Sequence, residues 1–303
     1  MVSQIDLYSH TQRPVLAFQN IQIFRGKNQV VRQAGGAVHQ GELVALIGEN
    51  GAGKSTLLHA LAGQMSASGN IEFLGQDIAS WPVDVLATKR AVLNQHTSLP
   101  FAFTVPELVA MGRYQIAETN QQRDAKVEQY LACVGLAGHM SRTVNQLSGG
   151  ELQRLQFARC LAQLDAFEPN HQHREDQSAK LMLLDEPTAA LDLRHQHSLL
   201  QAVKAFTEQG NSAVIAIHDL NLAALYADKI MLLKDGVLAH QGSPSSVLTA
   251  DILTNTYQTP INVMPYPNAD APMVYSAVAQ GANQLWQIQS KNLGEQDAQT
   301  SIV

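Results

Sequence analysis

Apolar residues in this chain gather into short unbroken runs separated by longer mixed stretches. Leu43-Val44-Ala45-Leu46-Ile47 and Leu181-Met182-Leu183-Leu184 contain no polar position. Runs of that length suit strands covered on both faces, as in a parallel sheet. The pattern predicts strands near 15–24, 42–47, 70–74, 90–94, 181–185 and 213–217. It predicts helices at 54–62, 193–209 and 219–227, and a hairpin near 229–241. A mostly helical stretch spans about 104 to 164. Strands alternating with helices imply an α/β fold with a mainly parallel sheet. The block between Gln95 and Leu181 reads as an inserted helical subdomain.

Polar stretches mark the edges of this pattern. Residues 165–179 hold His171, His173, Arg174, Glu175 and Asp176 and read as a solvated loop. From about Pro260 onward, prolines and polar residues predict an irregular or partly disordered tail. No apolar run approaches the roughly 18–20 residues that span a bilayer. The polar start, Met1 to Gln12, lacks a secretory pattern. The expectation is a cytosolic protein that reaches any membrane through a partner. The 303 residues suffice for a domain plus a subdomain. A net charge of −6 gives no general case for a nucleic-acid partner. Cys133 and Cys160 lack metal-ligand spacing, sit among apolar neighbours and read as buried reduced thiols.

The chemistry begins at Gly48-Glu49-Asn50-Gly51-Ala52-Gly53-Lys54-Ser55, followed by Thr56. It fits the phosphate-loop pattern G-x-x-x-x-G-K-[ST], between a strand and a helix. Glycines let successive N–H groups point at an anion, and the helix start adds partial positive charge. Lys54 would reach the β- and γ-phosphates, and the Ser55 hydroxyl would ligate Mg²⁺. Asp185-Glu186 ends a second apolar strand, where ligands of open α/β sheets bind. Asp185 is placed to hold Mg²⁺ through water, and Glu186 to orient or deprotonate an attacking water. Leu147-Ser148-Gly149-Gly150-Glu151 fits a helix capping box, S-x-x-E. That reading leaves both glycines unexplained, and bare N–H groups at a helix start also suit phosphate. Both readings can hold together.

The ordered set is phosphate loop, Gln95, Leu-Ser-Gly-Gly, Asp185-Glu186, Ala190-Leu191-Asp192 and His218. In that order it resembles the ATP-binding subunits of ABC transporters over about residues 14–258. The resemblance implies a P-loop ABC cassette, with a mainly parallel sheet, an antiparallel β part and the helical insert at about 96–175. Residues 1–13 and 259–303 would be extensions. It also implies a homodimer enclosing two ATP molecules. Each site would take Lys54 and Glu186 from one copy and Ser148, Gly149 and Gly150 from the other. Gln95 would sense the γ-phosphate and join Ser55 and Asp185 around Mg²⁺. Asp192 would cross the dimer interface, and His218 would contact the γ-phosphate and hold Glu186. The adenine-stacking aromatic is missing at the aligned position, Ile23, with Phe24 beside it.

Arg90-Ala91-Val92-Leu93-Asn94-Gln95-His96 and Met111-Gly112-Arg113 resemble one branch, importers of iron chelates, haem and cobalamin. Within it the chain is most similar to hemin import ATP-binding subunits. The resemblance implies two transmembrane permease subunits and a substrate-binding protein as partners, no nucleic acid, and a peripheral place on the cytoplasmic face of the inner membrane. Ferric siderophore or cobalamin import is the alternative cargo. A soluble, non-transport ABC ATPase is the alternative class, which the single cassette and short insert disfavour.

Overall fold

The computed structural model describes residues 14–95, 101–166 and 179–276. The expectations for the N-terminal extension, His96, the loop histidines His171 and His173, and the tail beyond 276 lie outside the described residues.

The strands are β1 (Leu16–Arg25), β2 (Asn28–Val38), β3 (Leu43–Ile47), β4 (Ser68–Phe73), β5 (Gln76–Asp77) and β6 (Arg90–Leu93), then β7 (Leu181–Asp185), β8 (Ser212–Ala216), β9 (Lys229–Lys234), β10 (Val237–Gly242), β11 (Ile261–Pro265) and β12 (Pro272–Ser276). The helices are α1 (Lys54–Leu61), α2 (Val83–Lys89), α3 (Val105–Gly112), α4 (Asn120–Cys133) and α5 (Gly149–Gln163), then α6 (Leu193–Glu208), α7 (Leu220–Tyr226), α8 (Pro244–Val247) and α9 (Ala250–Tyr257).

Ten described strands form one sheet in the order β5-β4-β1-β2-β10-β9-β3-β8-β7-β6. Neighbours from β9 through β6 are parallel. At the other end, β1 pairs antiparallel with β2 and β4. The parallel half has apolar side chains on both faces. Leu43, Ala45 and Ile47 point into one core with α3 to α7. Val44 and Leu46 point into the other with α1, β1 and β2. This two-sided burial explains the unbroken apolar runs, and each buried Val, Leu or Ile side chain contributes about 2 kcal/mol.

The insert folds as α3, α4 and α5, docked on the first of these cores. Thr104 caps α3 through a capping box with Glu107. Buried Arg113 pairs with Glu118 at 2.6 Å and with Asp165 at 2.7 Å. Burial opposes ionisation of Asp165, but the Arg113 hydrogen bond and charge prevail and hold its carboxyl below the usual range. The Met-Gly-Arg stretch therefore has a structural reason: its arginine ties the start of the insert to its end.

Three expectations need correction. Strand β2 was not anticipated, because its polar positions obscure the apolar alternation. Residues 261–276 are not irregular. They form a hairpin, with Pro265 opposite Pro272. It is held on α7, where Asn221 donates to the Val274 carbonyl at 3.0 Å and accepts from the Val274 N–H at 2.7 Å. Prolines at the ends of such a ladder do not prevent it. Cys133 is exposed while Cys160 is buried. The inward face of α4 carries Val127, Tyr130 and Leu131, and Cys133 falls off that stripe.

Candidate functional site

The turn after β3 sets the geometry. Gly48 has φ of 148°, and a Cβ there would lie 2.1 Å from the Leu233 carbonyl oxygen. No other residue fits. Gly53 then turns the chain into α1, whose first residue is Lys54. Lys54 is buried, and its ammonium donates to the carbonyls of Gly48 at 2.8 Å and Glu49 at 3.0 Å. Burial lowers its pKa, while the charges of Glu186 and Asp185 work against that shift. A cation held only by backbone carbonyls and facing two carboxylates can exchange those contacts for phosphate oxygens.

The carboxyl ends of adjacent parallel strands supply the rest, as general sheet geometry leads one to expect. Ser55 Oγ donates to Asp185 Oδ1 at 3.0 Å. Asp185 is almost wholly buried, which raises its pKa; the Ser55 hydrogen bond and the neighbouring His59 pull it back. Glu186 turns out of β7 at φ 49° and donates its N–H to the Ala216 carbonyl at 3.0 Å. Its side chain is held twice. Gln95 Nε2 donates to one oxygen at 2.7 Å, and His218 Nε2 pairs with the other. A carboxylate fixed this way has its lone pairs aimed rather than free to rotate, which suits it to orient a water.

These groups share a cavity of about 700 Å³. Asn50, Gly51, Gly53, Lys54, Ser55 and Thr56 line one side, and Gln95, Asp185, Glu186 and His218 another. Gly48, Glu49 and Ala52 complete the loop behind the lining. Four further lining residues were missed from the sequence: Arg25, Val30, His59 and Asn94. His59 was legible, since it follows Ser55 by one helical turn. Arg25 and Val30 sit where β1 passes into β2, and without β2 they had no place. Ile23 is buried in the core, and Phe24 is exposed and outside the cavity lining.

Among the described residues, no group of three or more His, Cys, Asp or Glu could hold a metal alone. The donor set near Ser55 and Asp185 is hydroxyl and carboxylate oxygen, with the buried amide oxygen of Asn94 beside it unpaired. That set fits a hard cation that keeps several waters and shares its ligands with phosphate, as Mg²⁺ does.

Ser148, Gly149, Gly150 and Asp192 stand elsewhere. Ser148 caps α5, and the capping box is complete: the Ser148 N–H donates to Glu151 at 2.8 Å. That backbone hydrogen bond leads the causes that bring the Glu151 carboxyl down to about 2, followed by the Ser148 and His139 side chains. A Cβ on Gly150 would meet the Ala190 carbonyl oxygen at 2.8 Å, so packing explains that glycine. Nothing crowds Gly149. Asp192 caps α6, accepting from the His195 N–H at 2.9 Å. None of these four lines the cavity.

The family model described as ABC transporter matches residues 31–167. The hemin import ATP-binding protein HmuV of Idiomarina loihiensis is 42% identical over 83% of this chain and 94% of its own length. The protein of the same name from Plesiomonas shigelloides is 41% identical over 82% of this chain and 97% of its own. Among solved structures, an inward-facing metal-chelate type ABC transporter matches with a TM-score of 0.70 and 26% identity, over 88% of this chain and 99% of that one. A nucleotide-sized cavity ringed by a phosphate loop and strand-end carboxylates accords with these matches, and the chain belongs to the ABC transporter family as one of its ATP-binding, ATP-hydrolysing subunits.

Proposed function

We propose that this chain energises hemin uptake, as the ATPase subunit of a membrane importer. The observation that carries the reading is the split of the motifs. One cavity gathers Lys54, Ser55, Gln95, Asp185, Glu186 and His218, while the Ser148–Gly150 turn is presented outside it. A second copy, facing the first, brings its own Ser148, Gly149 and Gly150 to the terminal phosphate. Asp192 lies at that interface. The phosphate loop from Gly48 to Thr56 cradles the triphosphate. The Arg25 guanidinium packs on the adenine in place of the missing aromatic, since it lines the cavity and Phe24 does not. Ser55, Gln95 and, through water, Asp185 would hold Mg²⁺ here, and the cation would supply charge neutralisation at the phosphates. Lys54 moves from the loop carbonyls to the γ-phosphate. Glu186, fixed by Gln95 and His218, aims its free lone pairs at the attacking water and takes its proton. His218 then steadies the phosphate oxygen.

ATP shifts the open–closed equilibrium because the second copy's contacts exist only in the closed state. The exposed side chains of Phe101, Met111 and Tyr114 lie after Gln95 and receive a helix of the permease. Two permease subunits and a substrate-binding protein complete the assembly. The ATPase sits peripherally on the cytoplasmic face of the inner membrane; among the described residues no helix is long and apolar enough to cross it.

The cargo is supported by the names of the relatives. Its test is ATP turnover by the chain reconstituted with its permease. Hemin-loaded binding protein is expected to stimulate it, and stimulation by cobalamin-loaded or siderophore-loaded protein alone overturns the cargo. For the composite site, Glu186→Gln is expected to bind ATP, hydrolyse it at least ~100-fold more slowly, and elute as an ATP-dependent dimer. A monomer at saturating ATP and Mg²⁺ removes the second copy from the site.

A further inference from the structure

Two buried side-chain atoms beside the cavity have no hydrogen-bond partner among the described residues: His59 Nε2 and Asn94 Oδ1. Both residues line it. An unpaired buried polar atom is costly, so two beside one cavity call for a ligand that satisfies both.

Strand register brings them there. Leu181 and Leu183 of β7 and Val92 of β6 pack in the core shared with α1. Leu93 lies opposite Leu184 in the parallel pairing. One further step of the two-residue alternation turns Asn94 and Asp185 to that same side. His59 follows Ser55 by one helical turn, so both project from one face of α1. Ser55 already donates to Asp185 Oδ1 at 3.0 Å.

We propose that His59 and Asn94 are positioning residues that hydrogen-bond the water ligands of the divalent cation bound at Ser55 and Asp185. Waters on a cation are strong donors, and Asn94 Oδ1 is an acceptor without a donor. The inference rests on the reading that Mg²⁺ accompanies ATP in this cavity. It adds to that reading a pair of side chains outside the familiar motifs.

The test uses Mn²⁺ as the probe, titrated into the ATP-bound Glu186→Gln chain and followed by electron paramagnetic resonance. Metal-free affinity for a fluorescent ATP analogue in EDTA is measured alongside. Adding His59→Leu or Asn94→Leu is expected to weaken Mn²⁺ binding about 10-fold, with metal-free affinity unchanged. His59→Gln and Asn94→Asp, which keep a polar atom in place, are expected to recover most of it. Mn²⁺ affinity within about twofold of the parent in both leucine variants overturns the proposal. So does an equal loss of nucleotide affinity with and without metal, which marks a packing role only. If the parent itself binds Mn²⁺ no better than ATP does in solution, the metal reading fails as well, and that result is visible before any variant is made.

Discussion

The two glycine-bearing motifs of this molecule, at Lys54 and at Ser148, are built on opposite plans. Around Lys54 the three charged groups at the strand ends and loop have internal partners. Lys54 rests on the Gly48 and Glu49 carbonyls, Asp185 on Ser55, and Glu186 on both Gln95 and His218. The turn at Ser148 is internally satisfied only in its own cap, and it leaves the uncrowded Gly149 N-terminus of α5 exposed. One part is a complete pocket waiting for a ligand. The other is a half-site that has anion-binding geometry but no wall opposite it. A single chain therefore carries two pieces that do not meet, and the simplest way for both to serve one triphosphate is a second copy.

The sharpest break comes from Lys54→Ala. It removes the buried cation that faces Asp185 and Glu186, and loss of one preorganised charge donor costs roughly 100- to 1,000-fold in turnover. Phosphate release at saturating ATP is expected to fall by at least that much; substantial remaining hydrolysis removes the phosphate-loop assignment. Ser148→Arg strikes the other part. Alone, it is expected to abolish turnover by filling the half-site. Mixed in equal amounts with Lys54→Ala chains, it is expected to regain up to about a quarter of the parent rate, because random pairing in a two-fold dimer joins one intact pocket to one intact turn in half the dimers. If each chain held a whole site, the mixture would stay dead.

The difference between the two parts also governs how much could be read from sequence. The pocket was legible because its residues are short-range. Gly48 to Thr56 is one continuous run, loop and first helical turn, and Asp185-Glu186 ends one apolar strand. Register then aligned Gln95 and His218 with them, and only the order of motifs hinted at that. The rest was hidden by elements whose patterns mislead. Strand β2 mixes polar and apolar positions, so Arg25 and Val30 could not be placed. Hairpin β11–β12 was concealed by prolines that sit opposite each other at the strand ends. Asn94 belongs to no recognisable pattern of its own, and its register with Asp185 emerges only from the β6–β7 pairing. The capping box at Ser148 was readable, and so was the puzzle of its glycines. That Gly150 answers to the Ala190 carbonyl was not, because those residues come together only in the folded chain.

A finer probe of the pocket is Arg25. If its guanidinium packs on the base, Arg25→Ala is expected to weaken ATP and ADP alike by about 2- to 5-fold, the range for a stacked cation at an exposed site. Calorimetric titration measures both. Arg25→Tyr, which restores an aromatic plane, is expected to bind at least as well as the parent. Unchanged affinity in the alanine variant takes Arg25 out of the base contact and leaves the base held by the phosphate end alone.

The smallest effect sharpens the picture of the turn. Glu151 titrates at about 2 in the fold, chiefly because the Ser148 N–H and hydroxyl favour its carboxylate, with His139 adding to them. In the unfolded chain a glutamate titrates near 4.3. The folded value is the lower one, so this group adds stability that is fully present above about 4.3 and is lost as pH falls through about 2. Glutamine can make the same capping box without a charge to protonate. Glu151→Gln is therefore expected to match the parent within about 0.5 kcal/mol near pH 7 and to lose less stability between pH 5 and pH 2. Denaturant unfolding across that range checks it. Parallel curves for parent and variant would mean that the Glu151 charge does not brace the turn, and that the α5 N-terminus holds its shape by backbone packing at Ala190 alone.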